Sequence, residues 1–309
     1  MGEKLMDTVQ PLAVGDAPIV AEMRRSATAH KGEILGPQAR PMFDAMFAAI
    51  PAHDDVRREP GILAGVGGWW CRPKRVTPGV KLLYLHGGGY VLGSAQSACN
   101  FASHIAARAQ ADTFLPDYRL APEHAFPAAI DDTVAVYRAL ADGTDRIAVT
   151  GDSAGGGLSL SLLSILATEH AQGTLQPVAA AVMSPWTDLG LTGASMATRA
   201  EADPIFTRDV LAGLAGSYLQ GHNATEPKAS ALYASLVCLP PIRIDVGDDE
   251  ILLDDATRYA TQARAAGADV MLSIWAGMPH VFQSSIGRLL AAQQSLDAIG
   301  EFLVSRLGS

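Results

Sequence analysis

The amino-acid sequence predicts an α/β protein, with a mostly parallel central sheet covered by helices on both faces and a helical cap above it. Two features of the text carry this. From about residue 56 onward, short β-type apolar runs alternate with runs of helical period, and strand–helix–strand succession builds parallel pairs with helices packed on the sheet faces. Two stretches stand outside that alternation: residues 1–50 and a segment at about 187–236, neither of which contains clear strand text. Having no place in the sheet, they are expected to fold over it. The expected organisation is N-terminal cap helices over 1–50 and one α/β domain over 51–309, whose insertion at about 187–236 completes the cap.

In the N-terminal stretch, apolar residues recur at helical spacing in Ala17–Met23 and again in Met42–Phe47, which gives two amphipathic helices. Strands are expected around 66–73, Lys81–Leu85, Thr113–Pro116, Ile147–Thr150, Val178–Met183, Ile242–Val246 and Val270–Trp275. Helices are expected around 98–110, 126–141, 154–169, 208–219, 254–266 and 288–306. The span Ser153–Thr168 is uncharged, but it is 16 residues long and laced with Gly and Ser. Crossing a bilayer takes about 20 apolar residues, so this is a buried helix. No fixed-period repeat or low-complexity tract interrupts the chain.

Composition excludes several classes of function. The 309 residues carry 23 Lys+Arg against 32 Asp+Glu, a formal charge of −9, with no basic run longer than Arg24-Arg25 or Lys74-Arg75. Phosphate backbones need concentrated cations, so no nucleic-acid partner is expected. At 49% apolar residues and a mean hydropathy of +0.16, the chain is core-rich and not disordered. Cys71, Cys99 and Cys238 cannot pair completely and lie in no CxxC or Cys/His ligand spacing; they read as buried small hydrophobes in a reducing compartment. The start MGEKLMDTVQ carries Glu3 and Asp7 without a following apolar run, unlike a secretory signal, and Met6 stands where myristoylation after Gly2 wants Ser or Thr. A soluble, cytoplasmic protein without membrane attachment is expected.

Three segments carry chemistry. Gly151-Asp152-Ser153-Ala154-Gly155-Gly156 lies between the β-run Ile147–Thr150 and the helical run Leu158–Leu166. A GxSxG pentapeptide gains its meaning from that position, because a sharp strand-to-helix turn lifts the serine hydroxyl clear of the backbone. His86-Gly87-Gly88-Gly89-Tyr90 follows the strand Lys81–Leu85. Backbone N–H groups of such a glycine loop can face the negative oxygen of an acyl-transfer transition state, and the missing Lys and GKS/GKT text argue against a phosphate loop. His86 is expected to organise this loop, not to act as a base. Among eight histidines, His280 in Gly277-Met278-Pro279-His280-Val281-Phe282 is the one placed after the last strand and downstream of the serine. Serine, then acid, then histidine is the chain order of serine hydrolases on an α/β sheet. The acid should follow the strand Ile242–Val246, where Asp245, Asp248, Asp249 and Glu250 crowd together, and periodicity does not choose among them.

In these segments the chain resembles the bacterial hormone-sensitive-lipase-like carboxylesterases of the α/β-hydrolase superfamily. The resemblance also covers Asp117-Tyr118-Arg119-Leu120-Ala121-Pro122-Glu123-His124, Phe126-Pro127-Ala128-Ala129 with Asp131, and Ser184-Pro185-Trp186-Thr187-Asp188-Leu189, so that motifs run over roughly residues 80–285. It implies the α/β-hydrolase fold, with the first of these elements bracing the catalytic loops. At the acid, the family pattern GxxDPLxD meets Gly247-Asp248-Asp249-Glu250-Ile251-Leu252-Leu253-Asp254. Register on Gly247, Leu252 and Asp254 then implies Glu250 in the catalytic place. The implied triad is Ser153, Glu250 and His280; the implied oxyanion donors are the N–H groups of Gly88, Gly89 and Ala154, with Gly87 as substitute for one glycine. The implied activity is hydrolysis of small-molecule esters with short acyl chains, on the order of two to eight carbons, through an acyl-enzyme. An amide- or acetyl-directed hydrolase of the same fold, a formamidase or deacetylase, is the alternative, and a non-catalytic small-molecule receptor is a third that the presence of His280 disfavours. No cofactor or metal is expected, and a homodimer through the edge of Val270–Trp275 is allowed by its apolar text.

Overall fold

The computed structural model describes residues 7–33, 35–169 and 175–308. Its strands are β1 (Thr8–Gln10), β2 (Val56–Leu63), β3 (Val66–Pro73), β4 (Val80–Leu85), β5 (Asp112–Pro116), β6 (Arg146–Asp152), β7 (Ala179–Met183), β8 (Ile242–Gly247) and β9 (Val270–Trp275). They form one nine-stranded sheet in the order β1-β9-β8-β7-β6-β4-β5-β3-β2. All pairs from β1 through β5 are parallel. At the far edge β3 runs antiparallel to β5, and β2 folds back on β3.

Both faces are covered. Leu82 and Tyr84 of β4 point into a cluster with Phe101, Ile105, Ile299 and Leu303, from α3 (Ala95–Ala109) and α9 (Leu290–Leu307). Leu83 and Leu85 point the other way, against α4 (Ala128–Ala141) and α5 (Ser153–Glu169), and α8 (Leu253–Ala265) extends the same layer. Alternate residues of one strand thus meet two different helix layers, which is why the strand text is apolar without a polar face. Helix α5 is buried nearly all round over its first three turns, as an uncharged helical run requires. Above the sheet lie α1 (Ala17–Thr28), α2 (Arg40–Ala48), the short α6 (Ser195–Thr198) and α7 (Arg208–Leu219).

Two strands lie outside the sequence-based expectation. Strand β1 has three residues, too few for any periodicity to register, and β2 reads VRREPGIL, with charges, Pro and Gly that suit an edge position and mask strand text. The first of these also corrects the expectation for the Val270–Trp275 edge. Strand β9 is not the outermost strand of the sheet, because β1 pairs along its second half, Thr8 to Gln10 against Ser273 to Trp275. Helix α3 starts at Ala95 and not at 98, since Ser94 and Ser97 form a reciprocal capping box. Asp16, buried in the loop after β1, accepts the N–H groups of Leu290 and Ala291 at 2.8 and 2.9 Å and so caps α9 from the other end of the chain. Cys71 and Cys99 are buried, but Cys238 is exposed, because it occupies a turn at positive φ (59°) on the way out of the insertion.

The order β6-β4-β5 places the site. The chain leaves β4 toward β5 on one side and returns past β4 to β6 on the other, which opens a crevice at the carboxyl ends of β4 and β6. His86–Tyr90 follows β4 and Ser153 follows β6, so both converge on that crevice.

Candidate active site

Strand β6 ends at Asp152 and α5 begins at Ser153, with no residue between. The chain manages this by placing Ser153 in the left-handed region, at φ 54°. Gly155 is needed for closeness: a Cβ there would fall on the carbonyl oxygens of Leu85 and His86. The hydroxyl that this turn presents meets a histidine. His280 Nε2 lies 2.9 Å from Ser153 Oγ, and His280 Nδ1 lies 2.6 Å from Glu250 Oε2. Ser153 and His280 retain 8% and 9% exposure, whereas Glu250 has none. The inner partner is sealed and the outer pair stays within reach of a ligand.

The other carboxylates have other partners. Asp245 accepts from buried Arg243 and Trp275, Asp248 accepts the Gly277 N–H at 2.6 Å, and Asp249 pairs with Arg24 of α1. Asp254 accepts the Ser195 N–H at 2.9 Å and ties α8 to the insertion. Glu250 Oε1 accepts from Gly247 N and Ser184 Oγ, each at 2.8 Å, and Ser184 Oγ accepts the Val281 N–H at 3.1 Å. Ser184 thereby braces both the acid loop and the histidine loop. In the sequence it stood only inside a motif, with no signal of this role.

Facing Ser153 across the crevice, Gly88 and Gly89 have φ of 117° and 62°, and side chains there would strike Leu92 and Leu214. Among the described residues their N–H groups donate to no protein acceptor, and Ala154 N–H lies in the unpaired first turn of α5. Gly87 is different: its N–H donates to Asp152 Oδ1 at 3.1 Å, an oxygen that also accepts from Tyr84 Oη at 2.5 Å. That commitment removes Gly87 as a substitute oxyanion donor. Burial pushes the Asp152 carboxyl above its ordinary range. His86 lies within 2.7 Å of the Gly87 carbonyl through Nδ1 and stacks on Tyr118 at 4.3 Å, and burial pushes its pKa down, so it is a neutral brace for the loop. Tyr118 Oη donates to the His86 carbonyl, while Arg119 pairs with Asp132, not with the neighbouring Asp131. Arg40 of α2 reaches Glu123 at 2.6 Å and the Val91 and Ala121 carbonyls, fastening the N-terminal helices to this element.

Residues 82–284 match a family described as having the alpha/beta hydrolase fold. An acetyl-hydrolase of Streptomyces hygroscopicus is 38% identical over 277 residues, covering 88% of this chain and 91% of that one. An esterase of Acinetobacter venetianus is 34% identical, with 88% and 90% covered. The crystal structure of an esterase from the bacterial hormone-sensitive lipase family superposes with a TM-score of 0.88 at 40% identity, covering 96% of this chain and 99% of that one. The chain belongs to the hormone-sensitive-lipase-like α/β hydrolases.

In this hydrolase a cavity of about 560 Å³ opens onto Ser153. Its walls are apolar: Met23, Phe43 and Phe47 from the N-terminal helices, and Phe206, Leu211 and Leu214 from the insertion. Burial alone would lower the pKa of His280, but the carboxylates around it, Glu250 foremost with Asp203 and Asp152, together outweigh that loss, and the net direction is upward from 6.5. No group of three His, Cys, Asp or Glu side chains suited to hold a metal ion is found among the described residues, nor any helix long and apolar enough to cross a membrane.

Proposed function

We propose that the hydrolase is a serine carboxylesterase whose catalytic triad is Ser153, His280 and Glu250 and whose substrates are small-molecule esters with short acyl chains. The observation that carries this is the continuous line Ser153 Oγ, His280 Nε2, His280 Nδ1, Glu250 Oε2, with spacings of 2.9 and 2.6 Å, at the floor of an apolar cavity. Neutral His280, protonated on Nδ1 and donating to Glu250, accepts the Ser153 proton at Nε2 as Oγ attacks the ester carbonyl. The oxyanion that forms receives the N–H groups of Gly88, Gly89 and Ala154. The tetrahedral adduct collapses as His280 gives that proton to the leaving alkoxide, and an acyl-Ser153 ester remains. Water then repeats the sequence: His280 removes its proton, the acyl–Oγ bond breaks, and the proton returns to Oγ. Glu250 stays ionised throughout and stabilises the imidazolium. The N-terminal helices and the insertion serve as the cap, and the free thiols of Cys71 and Cys99 suit a cytoplasmic enzyme.

Acyl preference tests the cavity. Each methylene placed against its apolar wall adds up to ~0.8 kcal/mol until the space is full. Across p-nitrophenyl esters of increasing length, kcat/KM should rise and then decline beyond roughly eight carbons. Efficient hydrolysis of emulsified long-chain triglycerides would contradict the assignment. The acetyl-hydrolase name of the Streptomyces relative favours acetyl esters as one productive class, and acetyl amides in the same panel distinguish ester from amide cleavage.

The pH profile tests the base. His280 acts as base only when neutral, and its pKa is raised, so kcat/KM should fall on the acid side with a midpoint above the ordinary histidine value of about 6.5. The sign follows from the Glu250 charge, which favours imidazolium and therefore keeps His280 protonated to higher pH. A rate for acylation that is flat from pH 5 to 8 would assign the base to another group.

A further inference from the structure

Asp203 lies in the insertion between α6 and α7, and none of its surface reaches solvent. A carboxylate so placed needs donors, and it has three, all of them backbone amides. Oδ1 accepts from Ile205 N at 2.7 Å and Phe206 N at 2.9 Å; Oδ2 accepts from Ile251 N at 2.8 Å. The first two close a turn within the insertion. The third crosses to the residue that follows Glu250. The same turn brings the Phe206 ring edge-on to His280, with centroids 5.1 Å apart and planes at 77°. From outside, Lys31 donates to the Asp203 and Ala200 carbonyls, and Arg24 donates to the Ala202 carbonyl while pairing with Asp249.

We infer that Asp203 is a positioning residue that couples the cap to the Glu250–His280 pair, one carboxylate oxygen holding the Ile251 amide and the other the turn that carries Phe206. The inference rests on the triad proposed above. Asp203 makes no hydrogen bond to Ser153 or His280 and does not touch the reacting atoms. It acts through the Glu250–Ile251 peptide, whose placement sets where Oε2 meets His280 Nδ1. Movement of the insertion around a bound acyl group is thereby felt at the acid. The carboxylates that favour a charged His280 are those of Glu250, Asp203 and Asp152, and burial of the imidazole opposes them. Burial also pushes the Asp203 carboxyl itself upward, against the three amide donors.

Asp203→Asn tests the coupling. Asparagine keeps the size and can retain the turn through its oxygen, but it sets an NH₂ group against the Ile251 N–H. For a short ester, kcat should fall by roughly 10- to 100-fold, as small misplacements of catalytic groups do, with little change in KM. The acid limb of kcat/KM should move to lower pH, because one of the anions that favour imidazolium is gone. A residue that served stability alone would lower Tm and leave that limb in place. Wild-type kcat and an unmoved limb in a folded Asp203→Asn protein overturn the inference. Should that variant fail to fold, Phe206→Ala keeps all three amide bonds and removes the ring; kcat should again fall, and the limb should move upward as water relieves the burial of His280. Wild-type behaviour in that variant overturns the coupling equally. Glu250→Gln and His280→Gln in the same assays separate the two levels: near-normal turnover in these sinks the triad itself, whereas severe loss in these beside normal Asp203→Asn turnover sinks the coupling alone.

Discussion

Replacing Ser153 by alanine should lower kcat by roughly 10⁴-fold or more while the protein stays folded. Such a loss corresponds to about 5.5 kcal/mol of transition-state stabilisation. The oxygen removed is the one that would bond to the acyl carbon, and among the described residues no second hydroxyl is hydrogen-bonded to His280 Nε2 to replace it. What remains, the amides of Gly88, Gly89 and Ala154 proposed to receive the oxyanion and the apolar cavity, should still bind substrate and leave some residual activity above water. Folding should survive because the side-chain bond lost is the one to His280, and alanine tolerates the φ of 54° no worse than serine does. The measurement is turnover of an activated short ester, with chromophore release in the first turnover and thermal unfolding recorded on the same preparation. Near-wild-type hydrolysis, once contaminating esterase is excluded, would end the assignment of Ser153 as nucleophile.

What the sequence made legible was local, and what it hid was distant. The strand-to-helix turn at Ser153 could be read because flanking apolar runs and small residues announce it within a dozen positions. The glycine loop after Leu85 was legible for the same reason. Strand β2 was not, since the Arg, Glu, Pro and Gly that protect an edge erase the pattern of a strand. Ser184 and Asp203 were hidden more deeply. Their roles are hydrogen bonds to Glu250 and Ile251 across 66 and 48 positions, and one sequence contains nothing that pairs such residues. Gly87 shows the converse: the glycine run offers three N–H groups that text alone treats as equivalent, and the Asp152 carboxylate removes one from service. Periodicity left four carboxylates open at the acid position, and family register proposed Glu250. In the structure each of the other three is occupied elsewhere.

Glu250→Gln carries the second-largest expected effect, a fall in turnover of roughly 10²- to 10⁴-fold. Shape is preserved, so the loss isolates charge and proton placement. Glutamine can keep its oxygen toward Gly247 N and Ser184 Oγ, which both donate to Oε1. Its NH₂ group then faces His280 Nδ1, which must become an acceptor, and the neutral ring carries its proton on Nε2. In that tautomer Nε2 cannot take the Ser153 proton. The pH dependence should change with it. The Glu250 charge is the foremost of the charges that lift the His280 pKa against burial, so its removal should carry the acid limb of kcat/KM to lower pH even as the plateau drops. Asp248→Asn and Asp249→Asn provide the comparison. Their partners are the Gly277 amide and Arg24, neither of which touches the imidazole, and both variants should retain most of the turnover and the wild-type limb. Greater damage from either of these than from Glu250→Gln, at matched folding, would reassign the acid to that aspartate.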